Sequence, residues 1–366
     1  MKVLTLVGTR PELIRLSIII DKLDTILNTN HIFVYTNQNY DKNLSNIFFK
    51  DLNIRKPDYI FDVKDNFSEF ISNAFLEFDA ILKYEKPDKI LTLGDTNTGL
   101  LTILAQKYNI PIFHMEAGNR CFDNRVPEEV NRRIIDNIST FNMPYTENAR
   151  QNLLSEQFHK NYIYKTGNPI FEVLLKYKKN IQDSNILNEL DLSDEYKESK
   201  DFILVTCHRA ENVDNIDILT SILMSLNYIS EKYKVIFSIH PRTRIQINKW
   251  IVYNERFFNQ NILLRDPFGF FDFVQLEKHA KLVISDSGTV QEECAIFKVP
   301  CLVIRESTER HELIECGSSI LVGINTQNII NTFDNTINRN NVRSVPEDYL
   351  VRNVSDTVIN ILLGKS

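Results

Sequence analysis

Carboxylates stand directly after short apolar runs in the first half of the chain. Asp95 follows the run "KILTLG", and Glu116 follows "PIFHM". Glu128 comes after Pro127, in what would be the first turn of a helix, and Arg132 lies one turn further on. Carboxylates at such positions can act as general acids and bases. The structural alternatives are an N-cap for Asp95, favourable helix electrostatics for Glu128 and an i,i+4 ion pair with Glu128 for Arg132.

Cationic side chains occupy comparable positions after other apolar runs. Arg10 lies in "GTRPE", at the start of a helix whose N–H groups would attract an anion. In the second half, "TCHRAEN" contains His208, and "SIHPRTR" contains His240 and Arg242. A plain turn and surface residues are the alternatives. The histidines lack a third ligand at suitable spacing, so no metal site is expected, and no GxGxxG fingerprint supports a nicotinamide cofactor.

The stretch "SDSGTVQEEC" joins an apolar run to a helix-length segment. Its residues 287–289 would present backbone N–H groups at a helix N-terminus, where a diphosphate can bind. Glu292 and Glu293 lie one turn into that helix, where a carboxylate can accept ribose hydroxyls. Arg310 follows the next apolar run. An anion site beside a hydroxyl-reading carboxylate fits a sugar nucleotide better than inorganic phosphate.

The order of apolar and polar segments predicts how these side chains are positioned. Runs of strand length such as "KVLTLVG" alternate with helix-length segments such as "FSEFISNAFLEFDAILKYEK". After a polar stretch over residues 178–200, the alternation begins again with "DFILVTC". Alternating strands and helices indicate parallel sheets built from βαβ units. We therefore predict two Rossmann-like, doubly wound α/β domains, with the carboxyl ends of their strands facing a cleft between them.

Length, charge and cysteine content limit the classes of function. With 366 residues, the chain is longer than one core usually supports. A formal net charge of −6 argues against non-specific binding to nucleic acid or a membrane surface. No apolar run approaches the ~18 residues that span a bilayer. The five cysteines form no CxxC pair, which favours reduced thiols and a cytoplasmic location over a disulfide framework.

Eight motifs in a fixed order resemble the non-hydrolysing UDP-N-acetylglucosamine 2-epimerase family: "GTRPE", "GDTNT", "H-x-EAG-x-R", "PEE-x-NR", "TCHRAEN", "HPRTR", "SDSG-x-x-QEE" and "TER". The resemblance implies the GT-B fold, in which a C-terminal helix crosses back to the first of two Rossmann-like domains. The expected boundaries are 1–170 with 347–366 for the first domain, and 171–346 for a UDP-binding second domain. The resemblance also implies a homodimer.

The resemblance further implies inversion at C2 of a UDP-2-acetamido sugar, without NAD or metal. UDP would leave by elimination, giving a 2-acetamidoglycal, and would then add again. Asp95, Glu116 and Glu128 match the acid/base positions, and His208 completes the catalytic set. Phe273 matches an aromatic residue that packs on uracil. The predicted contacts to substrate and UDP, from the residues and the resemblance together, are Arg10, Arg15, Arg132, His240, Arg242, Phe273, Ser287, Gly288, Thr289, Glu293 and Arg310.

Three departures from the family pattern bear on specificity. Arg15 stands where many members carry lysine, which keeps the charge but alters the geometry. Gln38 is followed by Asn39 where many members have Gln-His in an activating second UDP-GlcNAc site, so that site is not expected here. The stretch "EAGNRCFDNRVPEE" is similar to the branch that acts on UDP-2-acetamido-2,6-dideoxy-L-hexoses.

We therefore expect conversion of UDP-2-acetamido-2,6-dideoxy-L-talose to UDP-N-acetyl-L-fucosamine, a step towards a surface polysaccharide. The alternative substrate pair is UDP-GlcNAc and UDP-ManNAc. Three other functions share parts of the pattern: a GT-B glycosyltransferase, a hydrolysing epimerase and a catalytically inactive UDP-sugar-binding protein. The carboxylates retained near the expected sugar favour the epimerase over the glycosyltransferase and the inactive protein.

Overall fold

A computed structural model describes residues 1–38, 49–62, 66–193, 201–251, 257–339 and 343–364. The chain divides into two compact units. The first contains Met1–Leu175 together with Glu347–Ser366, and the second contains Lys176–Pro346. Within the described residues, no helix has both the length and the apolar character needed to cross a membrane.

The first unit is built on a six-stranded sheet in the order β3-β2-β1-β4-β5-β6, and all of its strand pairs are parallel. The order reverses between β1 and β4, as in a doubly wound sheet. Every residue of β1, "VLTLV", is buried, as expected of a strand covered by helices on both faces. The strands are β1 (Val3–Val7), β2 (His31–Tyr35), β3 (Tyr59–Ile60), β4 (Lys89–Leu93), β5 (Ile112–Met115) and β6 (Phe141–Met143).

Helices follow the strands of this sheet, and local signals fix their ends. Asn66 accepts the Ser68 N–H at 2.9 Å at the start of α2, and Lys86 ends that helix in the left-handed conformation. Short 3-10 helices lie at Asn28–Asn30, Asn97–Leu101 and Lys160–Tyr162. The α-helices are α1 (Arg10–Leu27), α2 (Phe67–Glu85), α3 (Thr102–Lys107), α4 (Pro127–Ile138), α5 (Glu147–Ser155) and α6 (Ile170–Lys176).

The second unit contains another six-stranded parallel sheet, in the order β12-β11-β10-β7-β8-β9. Read from its other edge, this is the strand order of the first sheet, and the reversal lies between β7 and β10. The predicted pair of doubly wound parallel sheets is therefore confirmed. The strands are β7 (Phe202–Thr206), β8 (Lys234–Ser238), β9 (Ile262–Arg265), β10 (Leu282–Ser285), β11 (Cys301–Val303) and β12 (Ser319–Leu321).

Apolar clusters cover both faces of this second sheet. Helix α10 is capped by Asn215, which accepts the Asp217 N–H at 3.0 Å. The helices are α7 (Lys178–Gln182), α8 (Ile186–Glu189), α9 (Ala210–Val213), α10 (Ile216–Ser230), α11 (Pro241–Ile251), α12 (Phe270–His279), α13 (Gly288–Phe297), α14 (His311–Glu315) and α15 (Thr326–Ile337).

The C-terminal segment packs in the first unit. It contains a 3-10 helix at Glu347–Tyr349 and α16 (Val354–Leu363), which lies against α1. Lys22 Nζ donates to Ser355 Oγ at 2.8 Å. Lys89 Nζ donates to the carbonyls of Leu362 and Gly364 at 2.8 and 2.6 Å, which satisfies acceptors at the helix C-terminus.

Candidate active site

The strand order of each sheet defines where a ligand should bind. In an open α/β sheet, ligands bind beyond the carboxyl ends of the strands at the point where the order reverses. In the first unit that point is flanked by the turn after β1, which contains Arg10, and the loop after β4, which contains Asp95. In the second unit it is flanked by His208 and by the residue 287–289 turn. Glu116 follows β5, the strand next to β4.

Asp95 is anchored by helix α4. Arg132 donates to Asp95 Oδ2 from Nε at 3.0 Å and from Nη2 at 2.5 Å. Asn131 Nδ2 donates to the Asp95 backbone carbonyl at 3.0 Å. The Arg132 side chain is 2% exposed, and its Nη1 also donates to Glu129 at 2.8 Å. The guanidinium predicted to contact a diphosphate is therefore buried between two carboxylates, and what it does here is hold Asp95.

Glu116 begins the loop after β5 in a strained conformation. Its φ of 66° lies in the left-handed region, which costs a non-glycine residue on the order of 1–3 kcal/mol. Its N–H donates to the Met143 carbonyl at 3.1 Å, and Asn119 Nδ2 donates to its Oε1 at 3.3 Å. The backbone thus turns sharply at the end of the strand, where the Glu116 side chain is only partly buried.

A buried ionic network beneath this loop holds the strained backbone in place. His114 contacts Asp136 through Nδ1 at 2.9 Å and the Gly94 carbonyl through Nε2 at 2.7 Å. Both imidazole nitrogens therefore lie within hydrogen-bond distance of an oxygen atom. Arg120 donates to Asp136 at 2.7 Å and to both oxygens of Glu156. Burial alone would raise the pKa of Asp136, but His114 and Arg120 outweigh it and lower that pKa.

The two glutamates of the first α4 turn have different surroundings. Glu129 is fully buried and accepts the backbone N–H groups of Cys121 and Phe122 at 2.9 and 3.2 Å. Burial opposes its ionisation, but the Cys121 N–H and Arg132 outweigh this and lower the pKa of Glu129. Glu129 therefore supports the loop, whereas Glu128, the residue predicted to be catalytic, is partly exposed.

The turn after β1 is filled by its own carboxylate. Glu12 Oε2 accepts the N–H groups of Gly8 and Thr9 at 2.6 and 3.3 Å, and Pro11 has no N–H to offer. Two backbone N–H groups of this turn are therefore occupied by an internal carboxyl group, so binding of an anion here would depend on the Arg10 side chain. Burial raises the pKa of Glu12 to about 7. Arg10, at the same turn, is partly exposed.

Gln38 ties this turn to the loop that carries Asp95. Its Oε1 accepts the N–H and the hydroxyl of Thr98 at 3.1 and 3.0 Å, and its own N–H donates to the Gly8 carbonyl at 2.9 Å. A Cβ on Gly8 would come within 1.9 Å of Thr98 Oγ1, so only glycine allows this close approach. Asn39, which stands where many family members have the histidine of the second UDP-GlcNAc site, lies outside the described residues.

The turn at the start of α13 was also predicted to bind an anion, and its Ser287 N–H donates to Ser285 Oγ at 3.0 Å. Its N-cap residue Ser287 makes no side-chain cap, and its hydroxyl lies 3.0 Å from that of Thr289. The first N–H groups of a helix have no partner within the helix. A Cβ on Gly288 would lie 2.6 Å from Glu309 Oε1, so a larger residue would require this carboxylate to shift away from its arginine partners. The anion site at this turn stays a prediction, and it would use the N–H groups of Gly288 and Thr289.

Asp286 positions the cationic loop next to this turn. It accepts the N–H groups of His208 and Arg209, each at 2.9 Å, and Asn212 Nδ2 at 3.0 Å. Burial opposes ionisation, but His208 and the Arg209 backbone outweigh it and hold the pKa of Asp286 well below its usual range. The His208 side chain is 37% exposed, and the centre of its ring lies 5.7 Å from that of His240. The two predicted histidines therefore lie side by side.

Arg310 has a different environment from the one predicted. It is buried, and its Nε donates to Glu292 at 2.6 Å. Arg305, also buried, donates to Glu309 at 2.8 Å. These ion pairs lie beneath the Gly288 turn and support it, and the contact of Arg310 with UDP stays a prediction. Glu292 pairs with Arg310, and Glu293, which is 6% exposed, stays the carboxylate predicted to accept the ribose hydroxyls.

The three remaining residues predicted to contact the ligand differ in their burial and in their partners. Arg242 is exposed and pairs with Asp214, contacting both oxygens of that carboxylate. Phe273 is partly buried against the core of the second unit, leaving part of its ring accessible. Arg15 is 2% exposed within α1. A direct role in ligand binding thus fits Phe273 better than Arg15.

Four buried titratable residues of the site were not singled out from the sequence. Three of them lie one or two residues from a predicted side chain, Asp136 lies four residues after Arg132, and each holds a loop in place. The available signal was a charged residue at a position that the apolar pattern buries. These residues are Glu12, His114, Asp136 and Asp286.

No group of three or more His, Cys, Asp or Glu residues suited to a metal ion occurs in the parts of the chain that the structure describes. The fold is GT-B-like. A structure of WaaG, a glycosyltransferase involved in lipopolysaccharide biosynthesis, matches with a TM-score of 0.60 over 100% of both chains, at only 11% identity. This likeness supports the fold class alone.

A family model described as UDP-N-acetylglucosamine 2-epimerase matches residues 21–363. A Methanococcus maripaludis protein named UDP-N-acetylglucosamine 2-epimerase is 37% identical, over 100% of this chain and 99% of the relative. The structure of Methanocaldococcus jannaschii UDP-GlcNAc 2-epimerase in complex with UDP-GlcNAc and UDP matches with a TM-score of 0.91 at 36% identity, over 99% of each chain. The chain belongs to the UDP-N-acetylglucosamine 2-epimerase family, which confirms the family predicted from its motifs.

Proposed function

We propose that this protein is a non-hydrolysing C2 epimerase that interconverts UDP-GlcNAc and UDP-ManNAc. The observation that carries the proposal is the arrangement of Asp95 and Glu116 at the carboxyl ends of neighbouring strands. Asp95 is held by Arg132, and Glu116 is held by a strained backbone over a buried ionic network. Partly exposed carboxylates with fixed backbones are suited to moving protons.

The chemistry explains why more than one carboxylate is needed. The proton on C2 is weakly acidic, so its removal must accompany loss of UDP from C1. A base takes the C2 proton, and the electron pair of the C2–H bond forms the C1=C2 double bond of a 2-acetamidoglycal. The C1–O bond breaks, and UDP leaves with the electron pair of that C1–O bond. For re-addition, UDP attacks C1 while a second acid delivers a proton to the opposite face of C2. Asp95, Glu116 and Glu128 are the proposed acids and bases.

The leaving group needs stabilisation as negative charge develops on it. In this proposal the N–H groups of Gly288 and Thr289 and the side chains of His208 and Arg10 supply it. Glu293 receives the ribose hydroxyls, and Phe273 packs on uracil. The homodimer implied by the family stays a prediction, which the mass of the protein in solution would test.

The relatives favour UDP-GlcNAc over the 6-deoxy-L-hexose substrate. The expectation of a UDP-2-acetamido-2,6-dideoxy-L-talose substrate rested on the single stretch "EAGNRCFDNRVPEE". The family model and the compared epimerases instead carry the name of UDP-GlcNAc. We therefore adopt what was the alternative substrate pair.

Separate incubations with UDP-GlcNAc and with UDP-2-acetamido-2,6-dideoxy-L-talose, followed by NMR, test this choice. We expect a mixture of UDP-GlcNAc and UDP-ManNAc in the first tube, with no free sugar. Turnover in the second tube alone would reverse the substrate assignment. Release of free ManNAc together with UDP would indicate a hydrolysing epimerase instead.

A further inference from the structure

A fully buried carboxyl group on helix α12 has no role in the site described so far. Glu277 is 0% exposed, and neither of its oxygens accepts a hydrogen bond from a donor among the described residues. An ionised carboxylate buried without a donor is costly enough that the group takes up a proton instead. A protonated carboxyl group is itself a donor and requires an acceptor.

The acceptor is provided by helix α13. Helices α12 and α13 pack against each other, and Glu277 of the first and Glu293 of the second are both buried. Burial together with the Glu293 carboxylate raises the pKa of Glu277 well above its usual value. Two adjacent carboxyl groups share a proton because both cannot ionise at close range. The side chains of Cys294 and Cys301, which belong to an apolar cluster, also lie close to Glu277. Phe273 lies one turn before Glu277 on α12, and therefore on the same helix face.

We propose that Glu277 is a positioning residue for the nucleotide, which stays protonated and donates its O–H to Glu293, so that this carboxylate keeps one orientation for the ribose hydroxyls. The proposal deepens the proposed function, since it rests on the UDP site in the second unit. It also explains why an acid is found where the core would otherwise accept an apolar residue.

The groups around Glu277 set the direction of its pH dependence. Glu293 and Cys294 face it from α13, and Cys301 faces it from β11. Helices α7 and α8 also pack on α12, and their charged residues are exposed: Lys178, Lys179 and Glu189. No cation is among the groups that act on it, so raising the pH removes the shared proton and places two anions together. UDP affinity should therefore fall as pH rises.

Titration of UDP against the full-length chain, followed by calorimetry between about pH 6 and about pH 9, tests this. Glu277→Gln keeps an N–H donor but cannot ionise, whereas Glu277→Met has similar size and no donor. Glu189→Gln, on the neighbouring helix α8, is the matched control. We expect wild type and Glu189→Gln to lose affinity with rising pH and Glu277→Gln to lose markedly less. Glu277→Met should bind about tenfold more weakly throughout, with unchanged melting temperature.

Equal UDP affinity of Glu277→Met and wild type would overturn the proposal, as would identical pH profiles of wild type and Glu277→Gln. If wild type fails to bind UDP, both this proposal and the proposed function are wrong. If UDP binds with the expected pH dependence but no UDP-2-acetamido sugar exchanges its C2 proton, the epimerase function fails while the role of Glu277 stands.

Discussion

Arg132 reaches Asp95 with two nitrogen atoms, Nε at 3.0 Å and Nη2 at 2.5 Å, and both contact the same oxygen, Oδ2. The Asp95 carboxylate is thereby held in one orientation while its side chain stays 21% exposed. Arg132 also contacts Glu129, which holds the backbone of the neighbouring loop. One buried guanidinium thus connects a proposed catalytic carboxylate to the loop that follows Glu116.

Replacing Arg132 by lysine should therefore damage catalysis more than binding. Lysine keeps the charge but cannot reach Asp95 and Glu129 together from a planar fork. We expect kcat to fall by about 10–100-fold and UDP affinity to change by less than about twofold. Steady-state kinetics and calorimetry measure the two effects. Arg125→Lys, at an exposed position in the loop before α4, serves as control. If UDP affinity falls by as much as kcat does, Arg132 contacts the diphosphate directly, as predicted from the sequence.

Replacing Glu12 by glutamine should change how stability depends on pH. The pKa of Glu12 is raised to about 7, so the stability linked to its protonated form is complete below the unfolded pKa and is lost as pH rises through about 7. Between acidic and mildly alkaline pH, the free energy of unfolding of wild type should fall by up to about 3 kcal/mol relative to that of Glu12→Gln. Denaturant unfolding at both ends of that range measures this. Parallel pH dependences of the two proteins would show that Glu12 does not titrate there.

Adding a methyl group at Gly288 should disrupt the open turn of the second unit. A Cβ there would meet Glu309 Oε1 at 2.6 Å, so this carboxylate would have to move from its buried ion pairs with Arg305 and Arg310 beneath the turn. UDP affinity of Gly288→Ala should fall at least tenfold, or by roughly 1.4 kcal/mol. Thr289→Ala keeps the backbone N–H, so its UDP affinity should fall by less than about threefold. A larger loss from Thr289→Ala than from Gly288→Ala would assign binding to the hydroxyl instead of the backbone.

Substituting Asp286 by asparagine should destabilise the loop that contains His208. The depressed pKa of Asp286 means that its ionised form contributes stability above the unfolded pKa, and that this is lost as pH falls. At neutral pH we expect Asp286→Asn to lose about 3 kcal/mol of unfolding free energy, because a buried charged acceptor is removed from its donors. Denaturant titration measures the loss. Wild-type stability in the variant would mean that the loop keeps its structure without this charge.

The sheets and the edge that carries the site follow from features readable in the sequence. Strands buried on both faces give continuous apolar runs such as that of β1, and the side chains that break these runs at the strand ends include Glu116 and His208. Within each sheet, parallel topology brings the carboxyl ends of the strands to one edge. Such features are local, so a single sequence is enough to find them.

The partners of each charged residue depend on contacts that sequence spacing does not reveal. Arg132 pairs with Asp95, which lies 37 positions earlier, and Arg310 pairs with Glu292, which lies 18 positions earlier. Sequence spacing therefore did not reveal that both arginines are buried against protein carboxylates. The partner of the turn after β1 was missed for the opposite reason, because Glu12 is close in sequence but its side chain folds back onto that turn.

Deuterium incorporation tests the central claim most directly. UDP-GlcNAc is incubated in D2O with wild type and with Glu116→Gln, and the C2 position is followed by NMR. We expect wild type to place deuterium at C2 in both UDP-GlcNAc and UDP-ManNAc, and Glu116→Gln to bind UDP without measurable exchange. Failure of wild type to exchange C2 with any UDP-2-acetamido sugar would contradict the account, as would normal exchange by Glu116→Gln.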